Sequence, residues 1–207
     1  MKPKFTRKSE LVLLESTHTY YLDGTEILSN TQCLEKAGIQ DYSRIPAEIR
    51  ERASAFGRVV HKVTELWDRC ILDDSSVDPM IRPYLEAWKR YCDKHVKSWL
   101  LIEQKVFCPV RGLWVAGTID RVYTGESGIV LTDIKSAYGG EESYKIQTAG
   151  YTTMFEWLMR QKVMSRQTVE LRADGDFEVF EHTETHDFQI FDDAVEIAYW
   201  KSRRKKV

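Results

Sequence analysis

The hydrophobic pattern changes period near residue 100, and this change constrains the fold more than any other feature of the chain. "LLIEQKVFCPV" (100–110), "LWVAGTIDRVYT" (113–124) and "SGIVLTDIKS" (127–136) read as three consecutive strands. The turns between them carry Arg111-Gly112 and Gly125-Glu126-Ser127-Gly128. Helical spacing dominates on both sides. Before them, "PAEIRERASAFGRVVHKVTELWDRCIL", from Pro46, predicts one long helix, and "PMIRPYLEAWKRYCDKHVKSW" predicts a second. After them, "EESYKIQTAGYTTMFEWLMRQ" returns to helix, "QTVELRADGDFEVFEH" predicts a hairpin about Asp174-Gly175, and "DFQIFDDAVEIAYWKSRRKK" predicts a closing helix. Strands bracketed by helices point to one α/β domain, a mixed sheet flanked by helices.

The 207 residues, 43% of them hydrophobic, suffice for such a core in one domain. Within it, 17–40 reads as an N-terminal hairpin and short helix, 46–97 as a helical part, and 100–200 as the strand-bearing core. The hairpin turns at Asp23-Gly24; Ser29, Asn30 or Thr31 is available to cap the helix, and Gly38 to end it. No apolar run reaches the roughly 18–20 residues of a membrane span, and "MKPKFTRKSELVLLEST" lacks the apolar stretch of a signal peptide. A cytoplasmic protein without membrane contact is expected.

The formal net charge of −2 decides little about partners. Basic residues gather at the ends, in Lys2, Lys4, Arg7 and Lys8 and in "KSRRKK". Cys33, Cys70, Cys92 and Cys108 are widely spaced, with no CxxC pair, which argues against a zinc ribbon.

Asp133 and Lys135 interrupt a strand that otherwise reads as buried. Two apart, they share one face, and burying such charges is costly unless they are paired or bind something. Alone they are equally a strand-edge ion pair. Asp120 lies on the preceding strand, across a tight turn, and Glu103 on the strand before that. Two neighbouring carboxylates repel, and a divalent cation removes the conflict. Hard carboxylate oxygens, with the Ile134 backbone carbonyl and water, form the donor set magnesium favours.

Five segments together resemble the PD-(D/E)XK nuclease superfamily, in its RecB-like branch and on the phage exonuclease side of that branch. They are "GRVVH" (Gly57 to His61), "IEQKVF" (Glu103), "GTIDRV" (Asp120), "DIKS" (Asp133, Lys135) and "QTAGY" (Gln147 to Tyr151). The resemblance implies a restriction-endonuclease-like core and a DNA exonuclease dependent on Mg²⁺ or Mn²⁺, with one or two ions, leaving 5′ phosphates. It makes His61, Asp120, Asp133 and the Ile134 carbonyl metal ligands and Lys135 the catalytic lysine; Glu103 matches a less uniform acidic position. Gln147 and Tyr151 would support the catalytic residues and contact DNA. Arg58, Lys62, Tyr144 and Lys145 lie beside these motifs as candidate DNA contacts, with Tyr138-Gly139-Gly140 as a possible rim. Glu65, one turn after His61, is either an imidazole partner or a surface charge. Gly57, one turn before His61, suits a close approach of strand or nucleic acid.

No cysteine follows Cys108, so the iron–sulfur cluster of CRISPR adaptation relatives is not expected, and no phosphate loop provides an ATP motor. Some phage relatives form rings around DNA or work beside a single-strand annealing protein. A homo-oligomer and such a partner are therefore open, as are a DNA endonuclease, a nucleotide phosphoesterase and a DNA-binding or assembly module without catalysis.

Overall fold

The computed structural model describes residues 6–43, 45–136 and 142–204. The Tyr138-Gly139-Gly140 rim, Lys2, Lys4 and the last two lysines of "KSRRKK" lie outside them. The strands are β1 (Leu11–Leu14), β2 (Thr19–Leu22), β3 (Thr25–Ser29), β4 (Ser98–Val110), β5 (Leu113–Gly125), β6 (Gly128–Lys135), β7 (Ser165–Leu171) and β8 (Phe177–Glu181). The helices are α1 (Asn30–Ala37), α2 (Ala47–Asp68), α3 (Arg82–His95), α4 (Glu142–Met159) and α5 (His186–Arg204). No helix among the described residues is long and apolar enough to cross a membrane.

The expected elements form, with three differences besides the end of α3, which stops at His95 so that Ser98 and Trp99, expected in that helix, begin β4. β1 pairs antiparallel with β2 where no strand was expected; Leu11 and Leu13 supply the inward face that its short apolar run only hinted at. α2 stops at Asp68, short of the expected Leu72, because Cys70 turns left-handed at φ 58 and Ile71 N–H closes back on the Leu66 carbonyl. The acidic loop before α3 contains a 3₁₀ turn, Asp74–Ser76, capped by the Asp73 side chain. Ser29 caps α1 in a reciprocal box with Gln32, and Gly38 ends it at φ 89, as its residue types predict.

The sheet is mixed, ordered β1-β2-β3-β5-β6-β7-β8, with β4 along the other edge of β5. β3 pairs with β5 only through Leu28–Val115 and Ser29–Ala116, whereas β6 pairs with it from Arg121 to Gly125. Both therefore lie on one side of β5 and leave a fork between them, from Gly117 to Asp120. Val60 of α2, with Leu85, Trp88 and Tyr91 of α3, packs on one face of the sheet against Ile134, Val169 and Leu171. Cys33 and Leu34 of α1, Met154 and Phe155 of α4, and Phe191 and Val195 of α5 pack on the other, against Ile119, Val122 and Leu131.

His182, just past β8, bonds Thr168 Oγ1 through Nε2 at 2.9 Å. Burial, then the Arg166 guanidinium, lowers its pKa from 6.5 to about 4. The fold thus favours the neutral ring, whereas the unfolded chain protonates near 6.5. This contribution is complete above pH 6.5 and is lost as pH falls toward 4. Discounted for solvent screening, it amounts to about 1–2 kcal/mol. Urea titrations between pH 7 and pH 4 are expected to show a shallower loss of stability in His182→Gln than in wild type; parallel curves would contradict this.

Candidate active site

The fork is where the candidate residues meet. A cleft of about 830 Å³ opens there, and its lining includes His61, Glu103, Asp120, Asp133, Lys135, Gln147 and Tyr151. α2 delivers His61 from one layer and α4 delivers Gln147 and Tyr151 from the other. Nδ1 of His61 lies 3.4 Å from Glu103 Oε1 and 3.6 Å from Asp120 Oδ1, and Nε2 lies 3.1 Å from the Ile134 carbonyl. Burial alone would lower the His61 pKa, but Asp120 and Glu103 outweigh it and push it up to about 9. The imidazolium thus occupies the place a cation would take among these acids.

Asp120 and Asp133 are buried, at 8% and 2% exposure. Burial raises the pKa of each, and each pair of carboxylates adds to it: Glu103 acts on Asp120 against the pull of His61, and Asp120 on Asp133 against Lys135. Asp120 Oδ2 accepts the Ile134 N–H at 2.7 Å, which ties β5 to β6 beyond their last ladder pair. Lys135 Nζ lies 2.7 Å from Asp133 Oδ2 as an ion pair. The ammonium donates to Gln147 Oε1 at 3.2 Å and sits 4.8 Å from the Tyr144 ring centroid. Burial would lower the Lys135 pKa, yet Asp133 and Asp120 hold it well above the ordinary lysine value. Lys135 is a fixed cation, not a neutral base, in this arrangement.

His61, Glu103 and Asp120 offer ligand atoms within 4.8 Å of one another. Two carboxylate oxygens and one imidazole nitrogen make a donor set that fits a hard divalent ion. In this arrangement Asp133 is engaged by Lys135, and Glu103 takes the place beside His61 and Asp120.

Several peripheral residues differ from expectation. Glu65 does not touch His61: its carboxylate accepts from Lys62 at 2.9 Å and Arg69 at 3.0 Å, which lie one turn away on its own helix. The imidazole is instead held by Glu103 and the Ile134 carbonyl. Lys145 directs its ammonium to Glu142. Arg58 lines the cleft and bonds Ser54 Oγ at 2.7 Å. A methyl at Gly57 would meet Ser136 Oγ at 3.6 Å, an ordinary contact, so α2 runs close to the end of β6 without needing glycine there.

Glycine is needed elsewhere. A Cβ at Gly117, on the floor of the fork, would fall 2.7 Å from Tyr151 Cε1. Tyr151 is buried, is joined to Gln147 Nε2 at 3.4 Å, and through it to Lys135. Gly117→Ala is expected to cost about 1–3 kcal/mol of stability from overpacking and to dislodge Gln147. Denaturant titration checks the first effect; an unchanged midpoint would show that the ring moves freely.

Arg121 braces the cleft, which its sequence position did not reveal. Its side chain is fully buried, bonding Asp68, Glu103 Oε1 at 2.8 Å, Thr64 Oγ1 at 3.1 Å and the Asp120 carbonyl at 2.7 Å. The backbone explains how it gets there. Glu103 is left-handed, at φ 47, directly opposite the Asp120 region of β5. Strict alternation would place Leu101 on the other face from Val106, Cys108 and Val110, yet all four pack in one core, as do Ile119 and Val122. Both strands thus slip by one residue here. The slip turns Arg121 toward α2 and leaves Glu103 and Asp120 at the cleft. An arginine after Asp120 in a buried strand was the one available signal, because a buried guanidinium requires acidic partners.

No family model matches the chain, and no curated protein matches it. Among solved structures, one described as "Putative exonuclease" from Eubacterium rectale aligns over 86% of this chain and 79% of its own, with a TM-score of 0.55 at 14% identity. The two share a fold, a mixed sheet flanked by helices. SSO0001 aligns over 48% of this chain and 49% of its own, with a TM-score of 0.37 at 15% identity.

Proposed function

We propose that the protein is a metal-dependent DNA nuclease of the PD-(D/E)XK superfamily, RecB-like branch, acting as a phage-type exonuclease and leaving 5′ phosphates. The convergence of His61, Glu103, Asp120, Asp133 and Lys135 in one cleft carries this reading. The exonuclease description of the Eubacterium rectale neighbour supports it.

His61, Glu103, Asp120, Asp133 and the Ile134 carbonyl would hold the ion. Once bound, Mg²⁺ or Mn²⁺ supplies Lewis acidity toward a phosphate oxygen and lowers the pKa of water. The protein's own groups do the rest. Lys135, held protonated, places positive charge where negative charge grows on the phosphate. Asp133 and Gln147 fix its ammonium. Burial, then Asp133 and Asp120, raises the Tyr151 pKa, so its hydroxyl stays protonated beside Gln147.

End-labelled linear DNA and closed circular DNA, incubated with Mg²⁺ or with EDTA, test the reading. Stepwise shortening of linear DNA only, abolished by EDTA, is expected. Nicked circles would indicate an endonuclease, and no cleavage with either Mg²⁺ or Mn²⁺ would overturn the reading. Metal binding has its own readout. Mn²⁺ at about 100 times its Kd should stabilise the fold by about 2.7 kcal/mol, a rise of roughly 5–11 °C in Tm for this size. Asp120→Asn should remove that rise.

A further inference from the structure

The cleft has two walls of opposite character. Ser54, Arg58, Lys62 and Glu65 line the α2 wall, the last two as an ion pair, so Arg58 is its free charge, and Leu13, Glu15, His18 and Tyr20 form the wall made by β1, β2 and their turn. Among the described residues the Arg58 side chain bonds only the neutral Ser54 hydroxyl, so its charge is available to an anion. Glu15 on the facing wall repels phosphate. A polyanionic backbone passing Arg58 would turn its bases toward the hairpin.

His18 is placed to receive one. It ends the β1–β2 turn in the left-handed region, at φ 49, exposed at the cleft. Its ring meets Tyr20 nearly at right angles, at 83° with centroids 5.7 Å apart. That packing occupies at most one imidazole face. Tyr20 is itself buried: it is 1% exposed, and its hydroxyl is hydrogen-bonded to Thr118 Oγ1, on the cleft floor, at 2.8 Å. The platform is thus braced before any ligand arrives, which reduces the ordering cost of stacking.

We propose that His18 is a nucleobase-stacking platform, and that the cleft takes a single-stranded or frayed DNA end, with a phosphate at Arg58 and one base on the His18 ring. This rests on the nuclease reading for the identity of the polymer. A paired base in a duplex keeps both faces in the helical stack, so only an unpaired base offers its face to His18.

The test compares single-stranded oligonucleotides that are intact or carry one abasic residue at the first or second position from either end. His18→Ala is expected to slow cleavage of the intact strand about 5–100-fold, and His18→Trp to restore it. On the strand whose missing base is the one that stacks, wild type should already be slow, and His18→Ala should slow it no further. Equal slowing on intact and abasic strands, or no slowing on either, would overturn the platform. A second arm reads binding alone: quenching of 2-aminopurine at the same positions, in EDTA. Quenching that His18→Ala abolishes, in a wild-type protein that cleaves no DNA, would sink the nuclease reading and uphold the platform. Cleavage with quenching indifferent to His18 would sink the platform and uphold the nuclease.

Discussion

Lys135→Ala is expected to lower the rate of DNA hydrolysis by about 10²–10³, the loss typical when one preorganised electrostatic group is removed. Affinity for DNA and for Mn²⁺ should change far less. The ammonium is 2.7 Å from Asp133 and 3.2 Å from Gln147 Oε1, and its charge is stabilised by both Asp133 and Asp120. Both carboxylates favour the charged form of this lysine, so its expected value lies in fixed charge. Lys135→Arg should not rescue the rate, because a planar fork cannot occupy the point-like position between Asp133, Gln147 and the Tyr144 ring. Single-turnover rates at saturating enzyme separate the chemical step from binding. A Lys135→Ala rate within tenfold of wild type would remove the lysine from the proposed chemistry.

Arg121→Ala is expected to be the most destabilising single change in the site, by about 3–5 kcal/mol, or roughly 6–20 °C in Tm. The guanidinium is the counter-charge of both Asp68 and Glu103. Its removal strands the buried Asp68 carboxylate, which keeps only the Trp88 Nε1 hydrogen bond at 2.9 Å. Arg121→Lys should recover little, since one ammonium cannot span Asp68, Glu103, Thr64 and the Asp120 carbonyl. Asp68→Asn combined with Arg121→Gln should cost less than the two single changes summed, because the first removes the charge that the second abandons. Additive losses by calorimetry would show that the pair is not coupled.

These two residues show how differently a site can be legible. Lys135 was visible because a strand's period is two: Asp133 and Lys135 had to share a face, and charges there needed a reason. His61, Gln147 and Tyr151 entered only through the resemblance that "GRVVH" and "QTAGY" carry. Arg121 was not visible, because its direction depends on the left-handed residue Glu103, on the neighbouring strand. No local pattern announces a slip in alternation that a partner strand imposes. Glu65 misled for the complementary reason. Its spacing put it on the face of His61, but Lys62 and Arg69, also within one turn, compete for the same carboxylate.

By itself, then, the sequence determined the elements and the residue types that needed each other: strands from alternation, helices from a period near 3.6, and acids and a lysine whose burial demanded company. These follow from local backbone geometry and the cost of desolvating charge. Only the tertiary structure decided where the company is found. β3 and β6 share one side of β5 and part at Gly117–Asp120, so α2 and α4 can reach the same cleft from opposite layers. That fork arises from long-range pairing between segments 87 residues apart along the chain, and contacts over such distances are set by the packing of the whole core, not by any short stretch within it.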